Sequence, residues 1–150
     1  MKTIIFTLFV AMLTSPINLL ADTTISESAA DVDIYFIQPS DGQTVKNNVK
    51  VVFGLKNMGI APAGVEKKNT GHHHLLIDTD VMPDLTKPLP ANDKIKHFGG
   101  GQTETVVTLS PGKHTLQLLL LLLLLLLLGN YAHIPHNKPV MSEKITIMVE

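Results

Sequence analysis

Five of the chain's seven histidines fall in two tight groups, His72-His73-His74 and His133 with His136; His97 and His114 stand alone between them. Imidazole is a common metal ligand and the one side chain that ordinarily titrates near neutral pH. In an extended strand His72 and His74 project from one face, about 6–7 Å apart along the chain, and His73 projects from the other. Two imidazoles so placed can chelate one copper or zinc ion. His133 and His136 flank Pro135, which rules out regular helix between them and predicts a loop. That loop could close over the first pair and complete a site of three or four ligands. His97, ahead of Phe98 and three glycines, is a further candidate ligand. Asp78 could add an oxygen ligand or orient a histidine from behind. The candidate metal set is therefore His72, His74, His133, His136, His97 and Asp78.

Each of these residues also has a structural reading. His72 and His74 could bond loop backbone while His73 packs with Leu75 and Ile77. His133 and His136 could satisfy the backbone of a turn, and Asp78 could simply end a strand. His114 follows Leu109-Ser-Pro-Gly-Lys, where immunoglobulin-like domains often carry a corner tyrosine, and is read as structural on that analogy. Met58, Met82 and Met141 are read as core filler rather than thioether ligands for copper.

The elements that must position these residues are strands. Val32 to Ile37 and Val49 to Leu55 are β-rich runs separated by the turn-forming Ser40-Asp-Gly-Gln. His72 to Asp78 is a third strand, Thr103 to Leu109 a fourth, and another begins at Thr115 after the reverse turn at Pro111-Gly112. Met141 to Val149, with Ile145, Ile147 and Val149 alternating, closes the domain. Residues 57–69 and 82–98, rich in Gly, Pro and Lys, read as long loops of the kind that carry function. Several short strands with Pro/Gly turns and no long amphipathic helix predict an all-β, antiparallel β-sandwich.

Composition narrows the partners. The 150 residues carry 12 lysines, no arginine and a formal net charge of −1. With no basic cluster, a nucleic-acid partner is not expected. Met1-Lys2, the apolar stretch Ile4 to Leu13 and Leu19-Leu20-Ala21 form a signal-peptide pattern over residues 1–21, too short to span a bilayer. It predicts an exported chain with a polar leader over 22–32, one domain over 33–149, and no transmembrane span once the signal is removed. The chain has no cysteine, so disulfides and lipidation at a cysteine are both excluded. No Ser/His/Asp order, carboxylate pair or nucleotide motif predicts catalysis. The candidate functions are a metal-binding module for copper or zinc and, as the alternative, an envelope interaction domain that contacts protein or glycan and whose histidines are structural.

Five segments in order resemble one bacterial family: Gly59-Ile-Ala-Pro-Ala-Gly-Val-Glu66, Asn69-Thr-Gly-His-His-His-Leu-Leu-Ile-Asp78, His97-Phe-Gly-Gly-Gly-Gln-Thr-Glu104, Pro111-Gly-Lys-His-Thr-Leu-Gln-Leu118, and His133-Ile-Pro-His-Asn137 with Pro139-Val-Met-Ser-Glu143. The family is the secreted one catalogued as domain of unknown function 4399. The resemblance, over about residues 33 to 149, implies an immunoglobulin-like, single-domain protein in the periplasm of Gram-negative bacteria or secreted from them. It implies no function.

The chain departs from the family pattern at Leu118 to Leu128, eleven consecutive leucines where the family has about three. A strand there would place every second leucine on the outer face of its sheet. The surplus is therefore expected to leave the sheet as an exposed apolar protrusion prone to aggregation.

Overall fold

The computed structural model describes residues 31–65, 67–85, 89–125, 131–134 and 140–150, and the side chains of these except at 122–125 and 131–134. The expected signal peptide, most of the leader and His136 lie outside the described residues. Among those described there are eleven strands and no helix: β1 Asp33–Gln38, β2 Thr44–Val45, β3 Asn48–Lys56, β4 Gly59–Ile60, β5 Thr70–Ile77, β6 Ile95–His97, β7 Glu104–Thr108, β8 Gly112–Leu125, β9 Tyr131–Ile134, β10 Val140–Met141 and β11 Ile145–Val149.

Alternating side chains explain why these strands form two layers. In β3, Val49, Val51 and Phe53 point inward while Asn48 and Lys50 meet solvent. In β11, Ile145, Ile147 and Val149 do the same. One sheet has the order β1-β3-β7. The other runs β2-β11-β8-β5-β4, with β10 and β9 also on β8 and β6 also on β5. Their facing sides share one core, in which Ile34, Val51, Phe53 and Val107 of the first sheet pack with Leu75, Leu116, Leu118 and Ile147 of the second. Burial of that shared apolar face is the main driving force for the sandwich. The pairing is antiparallel except for β2 with β11 and β4 with β5, so the second sheet is mixed rather than purely antiparallel.

β5 is buried along its whole length, on both faces. Asn69 and Asp78, both with left-handed backbone (φ 57° and 49°), bracket it; such a conformation is tolerated best by Asn, Asp and Gly. Within β5 the backbone runs so close to β8 that a Cβ at Gly71 would lie 2.9 Å from the Leu121 carbonyl oxygen. The outer face of β5 and β8 forms a second, smaller core of Leu76, Leu119 and Leu121, closed over by Leu85 and Leu89 of the following loop.

That second core takes in the start of the leucine run, so no exposed protrusion begins before Leu122. Leu118, Leu119, Leu120 and Leu121 are all 0% exposed. Leu118 and Leu120 enter the core between the sheets, Leu119 and Leu121 the outer one. The outer leucines are covered because the loop after β5 folds back over the sheet, which composition alone did not reveal. The strand continues through Leu125, where Leu122–Leu125 pair with Ile134–Tyr131 of β9. Leu126 to Leu128 lie outside the described residues.

Candidate metal centre

β5 delivers the histidines by strand parity. His73, opposite Leu120, faces the main core; His72, opposite Leu121, and His74, opposite Leu119, face the outer one. On the other edge of β5, β6 pairs so that His97 sits directly across from His74. Cross-strand partners share a face, so three imidazoles meet. Their ring centroids are 5.0 Å apart for His72–His74, 4.9 Å for His72–His97 and 4.8 Å for His74–His97. One ligand nitrogen from each lies within 4.8 Å of the others. An ion bound at about 2.0–2.1 Å by three such nitrogens would need them about 3.3–3.5 Å apart; 4.8 Å is the upper bound on their present separation.

The three imidazoles differ in setting. His72 and His74 are each 1% exposed, whereas His97 is exposed. Its ring is nevertheless partly buried among its neighbours, and that burial lowers its pKa below the ordinary value. A neutral imidazole is the form that binds metal, so the shift favours ligation at neutral pH. Beneath the ring is Gly99, whose Cβ, if it had one, would lie 2.9 Å from His97 Nε2. The glycine leaves space that a larger residue would fill.

His73 is chemically separate. It is 0% exposed, and its ring lies 4.9 Å from that of Phe53. Burial pushes its pKa down to about 4; the Gln102 backbone favours the proton slightly but stands outside hydrogen-bond geometry.

Asp78 lies outside the triad. One carboxylate oxygen accepts from the Thr115 amide at 2.8 Å and the other lies 2.7 Å from His114 Nδ1. His114 Nε2 lies 2.9 Å from the Ser110 carbonyl oxygen. Two acceptors on one ring favour the imidazolium. Desolvation opposes protonation of His114, but the hydrogen bonds to Asp78 and Ser110 and the charge of Asp78 outweigh it, and the pKa is raised. This cluster pins the end of β5 to the start of β8.

Of the other predicted ligands, His133 is opposite Leu123 on β9, and its side chain and all of His136 lie outside the described residues. A residue 23 positions from His74 reveals no strand pairing in the sequence, so His97 carries no sign there that it sits across from His74. The one local signal was the alternation of Ile95 and His97.

A cleft of about 920 Å³ opens beside the triad. β6 flanks it on one side and β7 on the other, His97 contributes to its wall, and Asp78 and His114 also line it. Comparison with curated proteins and with solved structures finds no match. A family model does match residues 51–150; its description is Domain of unknown function (DUF4399).

Proposed function

The chain belongs to the DUF4399 family, and from its own geometry we propose that it is a metal-binding module holding one copper or zinc ion through His72, His74 and His97. The observation that carries this reading is the convergence of three ligand nitrogens from two strands within 4.8 Å. Imidazole suits both metals, and a three-histidine set leaves room for a fourth donor. His133 or His136 is the proposed source of that donor. Asp78 enters the proposal only as a strut that fixes the end of β5.

We also propose that the module works outside the cytoplasm, in the periplasm or secreted, after cleavage behind Ala21. The immunoglobulin-like assignment is part of the same proposal, supported by the bond of His114 to backbone four residues upstream, as a corner residue makes.

Titration of the protein with zinc(II), and with copper(I) under reducing conditions, tests the function. Wild type is expected to take up one equivalent, and the His72→Ala/His74→Ala double variant none. Uptake no stronger than that of an ordinary histidine-bearing surface would sink the metal reading. It would leave an interaction module whose cleft between β6 and β7 is the place to look for a partner.

A further inference from the structure

The three imidazoles are not arranged alike, and the difference has kinetic content. His72 and His74 are walled in: β8 lies on one side of their strand, and the outer face of the sheet is covered by Leu85 and Leu89. His97 is exposed and forms part of the cleft wall. The His97 ring is stacked on that of His74, with 9° between the planes. The lone pair of an imidazole nitrogen lies in the ring plane, so two parallel stacked rings cannot both aim at one ion between them. One ring must turn for both to bind. His74 is fully enclosed and paired on both edges of its strand, whereas His97 ends a three-residue strand above the space left by Gly99.

Resting on the metal reading above, we infer that His97 is the exchange ligand of the site: an ion passes between the cleft and the buried His72–His74 pair through His97. In uptake, an ion carried by a small chelate or a donor side chain in the cleft bonds first to His97. It then bonds to His72 and His74 as the His97 ring turns, while the incoming donor dissociates. Each new metal–nitrogen bond replaces one to the incoming donor, and no electrons move. Release is the reverse. The chemistry favours a carrier over a site that retains its ion permanently.

The test is the kinetics of capture and release, with zinc(II) and a chromogenic chelator, and with copper(I) and bicinchoninate. Losing an ordinary ligand leaves capture unchanged and speeds release, because affinity changes among variants usually appear in the off-rate. Loss of an exchange ligand is expected to do otherwise. His97→Ala should slow capture about tenfold or more, the scale on which metal-site substitutions act, and should slow release as well. Affinity would then fall less than the capture rate. Gly99→Ala keeps all three imidazoles but crowds the His97 ring; it should retain one-to-one binding with slower capture. Faster release with unchanged capture in His97→Ala, or unchanged rates in Gly99→Ala, would overturn the inference while leaving the metal site standing. Failure of wild type to bind either ion would overturn the metal reading itself.

Discussion

Three consecutive histidines occupy two environments because a strand turns alternate residues to opposite faces. The sequence alone was enough to place His72 with His74 and against His73. What was not legible was that both faces would be apolar and closed. For His73 this has a measurable consequence. Its folded-state pKa, about 4, lies below the ordinary 6.5, so the folded state resists the proton that the unfolded chain accepts. Its contribution to stability is complete above pH 6.5 and is lost as pH falls toward about 4. The loss is on the order of 3 kcal/mol. His73→Leu should flatten this part of the stability curve in urea unfolding between pH 7 and 4. An equally steep curve in the variant would show that other groups cause it.

At the scale of elements, β8 is the informative strand. Its register is set before the leucines begin, by Gly112 to Leu116 pairing with β11, and is pinned at Leu118, whose amide donates to Ser142 Oγ at 2.9 Å while its carbonyl accepts from the Ser142 amide at 3.0 Å. The first four leucines therefore take up fixed places in two cores. Shortening the run from eleven leucines to four should leave the melting temperature within about 5 °C of wild type, a shift equivalent to about 1 kcal/mol. Shortening it to two should cost several times as much, because large core side chains are lost. Similar losses in the two variants would mean that Leu120 and Leu121 are not needed where they lie. The expectation of an exposed outer face at the first leucines missed the covering of Leu119 and Leu121 by Leu85 and Leu89, since a loop's path over a sheet leaves no period in the sequence.

The whole molecule was largely legible as strands. The long runs β1, β3, β5, β7 and β11 fall close to where alternation predicts them. The missed strands, β2, β4, β6 and β9, are two to four residues long and owe their existence to pairing with a distant partner rather than to local propensity; β9 carries His133, which was expected in a loop and is instead paired with Leu123. One of these, β6, carries His97, the third imidazole of the triad, so the most consequential residue lay in what had read as loop. Among the described residues no helix is long and apolar enough to cross a membrane. Export would free the domain from its apolar signal peptide. The mass of the protein recovered from the periplasm should then correspond to a chain starting at Asp22; recovery only of full-length chain in the cytoplasm would contradict export.

The cleft also bears on colloidal behaviour. An opening between two sheets exposes strand edges, and exposed edges invite foreign strands to add on and propagate. Here β6 offers three residues and β7 five. Lys96 projects from the first, and Glu104, paired with Lys50 at 3.3 Å, begins the second. Val106 is the one large apolar side chain on β7 that stands well out of the core, at 61% exposed. Brevity and charge together work against the opening becoming a seam along which molecules polymerise.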